Sequence, residues 1–455
     1  MYGIDVSLGA GRRFRAAPLV GLAAATALLL GTLLAGTAAA SHVACGQEIT
    51  SSTTLDQDLE CPGTGLIIAA DNVTLDLNGH TLSGDPEARA AAGQDSAGVI
   101  FRGVSGSTVH DGTIERFDSG IVIRGGSGNA VRNVTVRDNI NYRILTGVNA
   151  DPNGPGAEDD PPQCDFGDGI AVFNSDDNRI ESSRVVNNGP FSGISLVEDS
   201  DGNLVSRNVI ADNDVVNQVV EDADENAGEN TVCGTGGDQG PMTRGRTMQD
   251  SGVRIEGPGA DDNRVERNQI TESGLTGISI HGYVCTPPLD ENGDPRFPAA
   301  PNNGGNLVFK NTVSNTGSDG LDRIADGIAT LQQGPATVVC VAFGNTIKNN
   351  VSSDNDRHGI FMGGRGSHDN RVINNRTDDN GGDGLHVEGP TIRDGVQVRP
   401  GAIDNKLLAN KGSGNAGFDG FDGNEDCDNN LWRGSKFGDV NEPCVLGPSG
   451  SKGKG

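Results

Sequence analysis

The chain has 455 residues, a formal net charge of −28, 21% charged and 4% aromatic residues, and eight cysteines. So acidic a surface repels nucleic acid and anionic membranes and favours solubility or divalent cations. The remaining length could fill two or three ordinary domains, but the repeats described below argue for one long domain in which each unit contacts only its neighbours.

The first forty residues read as an address. Arg12, Arg13 and Arg15 precede an apolar run from Leu19 to Leu34, and Ala38-Ala39-Ala40 supplies a small-residue cleavage site. The run is short for a membrane span and is interrupted by Gly31 and Thr32. Residues 1–40 are therefore expected to be a signal peptide, 41–446 the folded domain and 447–455 a flexible C-terminal tail. The protein is expected to be secreted to the extracellular space or cell envelope, with no membrane contact after the signal is removed.

Cys45 and Cys61 bracket the start of the domain, and Cys427 and Cys444 its end. In an exported chain these suit two terminal disulfides. Cys164 and Cys233 fall in insertions before a Gly-Ile phrase, and Cys285 and Cys340 in insertions after one, so 164–233 and 285–340 are the expected central pairs. No Cys-x-x-Cys occurs, which speaks against structural zinc.

Between these ends two phrases recur. One is an Asn followed by an aliphatic-rich stretch, at Asn129, Asn178, Asn203, Asn263, Asn306, Asn345, Asn370, Asn405 and Asn429. The other is Gly-Ile, at Gly120, Gly169, Gly193, Gly277, Gly327 and Gly359, with variants at Gly98, Gly252, Gly384 and Gly417-Phe418. Where no insertion intervenes the period is 22 to 25 residues. Short β-rich runs joined by Asn, Asp and Gly cannot bury a face alone and must stack as a solenoid. No run is long enough for a helical repeat. The recurrent Asn is expected to stack and hydrogen-bond at a turn, and the Gly to supply a backbone geometry that a Cβ would hinder.

The segment Asn72-Val73-Thr74-Leu75-Asp76-Leu77-Asn78-Gly79-His80-Thr81-Leu82-Ser83-Gly84 resembles the first coil of right-handed parallel β-helix repeat proteins, of the pectin-lyase-like superfamily. The resemblance implies an all-β, single-stranded right-handed parallel β-helix with long loop insertions. Members of that superfamily include polysaccharide lyases, glycoside hydrolases, uronate epimerases, adhesins and a periplasmic copper-site maturation protein. The polygalacturonase phrase Gly-His-Gly and the epimerase phrase Asp-Pro-His-Glu are both missing.

Alternation along the Gly-Ile strands points Arg254, Glu256, Ser279, His281, Ala329, Leu331, Phe361, His386 and Glu388 outward, toward solvent. The residue before each Gly forms another column, holding Ser251, Thr276, Asp326, His358, Asp383 and Ala416. Adjacent coils lie ~4.8 Å apart, so Asp326, His358 and Asp383 are expected to form a carboxylate–imidazole–carboxylate ladder. The neighbouring charges should raise the imidazole pKa and fit it for general acid or base work. Carboxylates ~5 Å or ~6.5–9.5 Å apart also suit glycosidic cleavage. Arg357 could neutralise a sugar carboxylate, and His386 and Glu388 would extend the patch. The candidate catalytic residues are thus Asp326, Arg357, His358, Asp383, His386 and Glu388.

Asp290, Asn292 and Asp294 alternate around Gly293 in a spacing that suits calcium, the one cofactor the sequence calls to mind. Asp419, Asp422, Asn424, Asp426 and Asp428 form a second acidic cluster, read as loop solvation. Two functions stay open: a polysaccharide lyase or glycoside hydrolase, and a non-catalytic, adhesin-like binding or structural solenoid. The expected partner is a polysaccharide or cell-surface glycan, and the chain is expected to be a monomer.

Overall fold

The computed structural model describes residues 42–85, 96–141, 167–214, 251–257, 259–282, 303–317, 325–332, 342–364, 367–393, 395–399 and 401–447. The leader, most of the C-terminal tail, Cys164, Cys233, Cys285, Cys340 and the Asp290–Asn292–Asp294 set lie outside them. Among the described residues the chain winds into stacked coils, each laying one short strand on each of three parallel faces. The first face is a sheet of twelve strands, from Glu48–Ile49 to Gly420–Asp422. The other two faces join where Thr108–Glu115 and Ala130–Arg137 run straight through the corner between them.

The interior of the first sheet is an aliphatic column in strict register. Ile121, Ile170, Ile194, Val253, Ile278, Ile328, Ile360 and Leu385 stand one above another and are fully buried. Each such side chain stabilises its coil by roughly 1.5–3 kcal/mol, and branching at Cβ suits the pleat. The Gly before Ile is explained by closeness of the next coil. A Cβ on Gly359 would sit 2.7 Å from the Gly384 carbonyl oxygen and 2.8 Å from Asn380 Nδ2.

The expected Asn stack is present and continuous. The Asn178 N–H donates to Asn203 Oδ1 at 2.9 Å, Asn203 to Asn263 at 2.9 Å, and Asn263 to Asn306 at 2.8 Å. The series continues through Asn345, Asn370 and Asn405 to Asn430. The last member is Asn430 rather than Asn429, because Asn429 takes the left-handed turn (φ 59°) that Asp177, Asp262 and Asp404 take elsewhere. Five residues on, a second ladder runs Asn208, Asn268, Asn311, Asn350, Asn375, Asn410. Another five on, Asn355, Asn380 and Asn415 repeat the pattern. Every such amide satisfies a buried backbone N–H that the turn would otherwise orphan.

Disulfides Cys45–Cys61 and Cys427–Cys444 close the two ends as expected. The last coil departs from the sequence reading. Gly420-Phe421-Asp422, not Gly417-Phe418, pairs with Leu385-His386-Val387. The inward position at Gly420 is filled from the C-terminal cap, where a Cβ would lie 2.6 Å from Phe437 and 2.8 Å from Val445. The register shift removes Ala416 from the outer column. In the acidic cluster there Asp426 and Asp428 are exposed, as loop solvation expects, whereas Asp419, Asp422 and Asn424 are buried. Asp419 accepts N–H groups of Gly438 and Asp439, and Asp422 accepts Trp432 Nε1–H at 2.8 Å. Among the described residues no helix is long and apolar enough to cross a membrane.

Candidate functional site

The outer face of the first sheet gathers the expected residues on three consecutive coils. Ile328, Ile360 and Leu385 in register fix the height of Asp326, His358 and Asp383, and backbone bonds Gly327 N to His358 O and Gly359 N to Asp383 O stitch them. Alternation then brings Ala329, Phe361, His386 and Phe421 into a second column.

Asp326 lies at the floor, fully buried. Its Oδ1 accepts Arg357 Nε–H at 2.9 Å and the His358 backbone N–H at 3.2 Å. Burial pushes its carboxyl up to about 6, against the pull of Arg357. Arg357 keeps a side-chain exposure of 25% and its guanidinium sits 4.3 Å from the Phe361 ring centroid.

His358 overturns its expectation. Burial holds it down to about 2, helped by its neighbours His386 and Arg357. Its Nδ1 accepts the Asp383 backbone N–H at 2.9 Å, which places the ring proton on Nε2. The Asp383 carboxylate is 3.5 Å away and gives its short bond to another imidazole. Asp383 Oδ2 lies 2.6 Å from His386 Nδ1, while Oδ1 accepts the Phe418 N–H at 2.6 Å. Paired with a carboxylate, His386 Nδ1 is the donor, so Nε2 carries the lone pair. Of the two imidazoles it is therefore His386, not His358, whose neutral ring leaves a nitrogen lone pair outside these bonds.

Aromatic rings frame this pair. His386 stacks on Phe421 at 4.5 Å and tilts over His358 at 4.2 Å, with Phe361 5.4 Å from it. Phe421 and Phe418 were missed by sequence reading because the Gly417-Phe418 phrase imitates the repeat three residues early. Glu388 stands on the same face but is drawn aside, its Oε2 accepting the Gly364 N–H at 2.5 Å. It does not join the cluster.

Several of the other described outward residues are not solvated. Arg254, Glu256, Ser279, Ala329 and Phe361 are all buried. Arg254 Nη1 lies 2.9 Å from Glu256 Oε2 and Nη2 3.8 Å from Asp168 Oδ2, so the guanidinium ties the face together. Glu256 and His281 are in register, while the His281 side chain is outside the described part. His80 and His110 pair with Asp58 and Asp111 at coil edges.

Among the described residues two groups bring three potential metal donors within 4.8 Å of one another: His358–Asp383–His386, and Asp76–His110–Asp111. Calcium, which takes six to eight oxygen ligands, does not fit the first, which offers one carboxylate and two nitrogens.

A family model described as periplasmic copper-binding protein (NosD) matches residues 153–319. That stretch holds one His, His281, two Met, Met242 and Met248, and three Cys, Cys164, Cys233 and Cys285. No curated protein matches the chain. Among solved structures, the Dettilon tailspike protein is similar at 14% identity and a TM-score of 0.53, over 87% of this chain and 63% of that one. A pectate lyase is similar at 12% identity and a TM-score of 0.41, over 84% of this chain and 80% of that one. The A-module of an Azotobacter vinelandii mannuronan C-5 epimerase aligns at 13% identity and a TM-score of 0.41, over 85% and 82% respectively. Stacked parallel strands, the in-register interior and the tailspike likeness together give this chain the fold of a right-handed parallel β-helix.

Proposed function

We propose that the protein is exported and acts on an extracellular polysaccharide at the outer face around His386. The observation that carries this reading is the Asp383–His386 pair set among Phe361, Phe418 and Phe421. Aromatic faces suit the apolar faces of sugar rings. A carboxylate-held imidazole with an available Nε2 is a general base. The leader-like N-terminus and the terminal disulfides support export.

Of lyase and hydrolase chemistry, the geometry favours the former. Hydrolysis asks two carboxyl groups to flank the scissile bond. Asp326 is buried beneath Arg357 and His358, and both Asp383 oxygens are engaged, so neither faces a glycosidic bond. Elimination asks for one base and a cation at the sugar carboxylate. His386 Nε2 takes the proton beside a uronate carboxylate, whose charge Arg357 offsets. The C–H electrons form the C=C bond, and the glycosidic oxygen leaves with its bonding pair and takes a proton from solvent.

A second reading, a non-catalytic glycan-binding solenoid, is favoured by the way the scaffold itself uses both Asp383 oxygens. The two part on a screen of neutral and acidic polysaccharides, following the unsaturated product and, separately, glycan binding. Cleavage of an acidic polymer is expected, and His386→Ala should lower it by about a hundredfold or more with binding kept. Absence of product on every glycan, alongside binding that His386→Ala leaves unchanged, would establish the second reading.

A further inference from the structure

The proposed base does not stand alone: it shares Asp383 with a second imidazole on the preceding coil. Asp383 Oδ2 is 2.6 Å from His386 Nδ1 and 3.5 Å from His358 Nδ1, and the two rings lie 4.2 Å apart. The three side chains belong to two adjacent coils whose spacing is set by the ladder rather than by a loop. Donors bound to one ion at ~2.0–2.1 Å in a tetrahedron are roughly 3.3 Å apart, and these separations bracket that value. We propose that His358, Asp383 and His386 form a binding site for a borderline divalent transition ion, zinc in the first instance, and that the ion blocks the proton-abstracting function of the same site.

The donor chemistry selects the ion class. Two imidazole nitrogens and one carboxylate oxygen suit zinc and its neighbours, whereas magnesium and calcium ask for oxygen throughout. Three protein ligands leave a fourth position open, as in exchangeable rather than purely structural sites. The rings are ordered by packing: His386 between His358 and Phe421, and Phe361 beside both imidazoles. Backbone bonds from Phe418 to Asp383 and from His358 to Asp326 orient the carrier strands. Binding has a cost, since the ion displaces the Asp383 N–H from His358 or the Asp383 bond from His386. That cost points to a reversible site. The site lies outside residues 153–319, the stretch matching the NosD model.

Ion binding itself is independent of the polysaccharide reading; only the blocking effect rests on it. The competing cluster, Asp76–His110–Asp111, has one imidazole and two carboxylates at the surface and serves as the control.

The test titrates zinc chloride, and calcium chloride in parallel, into chelator-treated full-length mature protein by calorimetry. The titration is repeated with His358→Ala, His386→Gln and His110→Ala, each checked for an unchanged circular dichroism spectrum and melting curve. One zinc site per chain is expected, weakened at least tenfold by His358→Ala and by His386→Gln, kept in His110→Ala and not reproduced by calcium. Zinc heat that survives both site substitutions, vanishes in His110→Ala, or is absent from the wild type overturns the proposal. A loss of fold in one site variant leaves the other to decide. Glycan cleavage is then measured with and without zinc: inhibition supports the blocking role, and activation or indifference overturns it. Zinc binding without any glycan activity would instead sink the polysaccharide reading and leave the ion site standing.

Discussion

Asp168 shares Arg254 with Glu256, so two carboxyl groups face one guanidinium in a buried patch. Burial pushes Asp168 from 3.8 up to about 6, although Arg254 pulls the other way. The folded state therefore holds a proton that the unfolded state has released between those two values. Stability from this group is full below the unfolded value, falls as pH rises through about 6, and is level above it. Asp168→Asn, which cannot ionise and leaves Arg254 its partner Glu256, should stabilise the protein at alkaline pH by up to about 3 kcal/mol and do little near the unfolded carboxyl range. Urea unfolding of both proteins across pH checks this; a difference that does not vary with pH would show that ionisation is not its cause. Sequence reading points Arg254 and Glu256 outward but does not reach Asp168, because Arg254 meets it across two coils by side-chain length. It set Asp326, His358, Asp383 and His386 on one outer face because column membership follows from period alone. It misjudged His358 because burial, invisible to a count of neighbouring charges, disfavours the charged ring and outweighs the carboxylates beside it.

At the scale of the strand, the Gly-Ile phrase was legible as a repeat, and the structure supplies its reason. Coils approach so closely at this corner that only a hydrogen fits. Gly359→Ala would drive a Cβ to 2.7 Å from the Gly384 oxygen and 2.9 Å from Thr377 Cβ, with backbone on one side and a packed side chain on the other. Neither can move without parting the coils that carry His358 and Asp383. A loss of about 1–3 kcal/mol is expected, with weakened function at His386, whereas Gly63→Ala, with nothing within 4 Å, should be neutral. Denaturant midpoints compare the two; equal midpoints would mean that the corner yields and that the glycine has another purpose. The later Asn ladders were not singled out from sequence, since Asn208, Asn268 and Asn311 read as ordinary turn residues until their five-residue offset from the first ladder is seen in space. The last strand was misplaced because Gly417-Phe418 satisfies the local pattern, while the choice of Gly420 depends on Phe437 and Val445 arriving from the cap.

Across the whole molecule each coil leans only on the next, so the described helix has no central core whose loss would unfold everything at once. Its ends matter most, because an uncapped coil exposes its aliphatic column and its row of unpaired backbone groups. At the C-terminal end the disulfide Cys427–Cys444 spans 17 residues and holds Val445 and Phe437 over the last coil beside Trp432. A crosslink over that length is worth about 3 kcal/mol in the chain-entropy account. Trp432 is the sole tryptophan of the chain and is buried with its Nε1–H on Asp422, so its fluorescence reports this cap and nothing else. The Cys427→Ser, Cys444→Ser double variant should therefore lose the Trp432 signal at lower denaturant than its far-ultraviolet dichroism, which follows the strands of the middle coils. In the intact protein the two transitions should lie closer together. If both move down in step, the coils unfold as one unit, and stability is transmitted along the solenoid much further than neighbour-to-neighbour stacking allows.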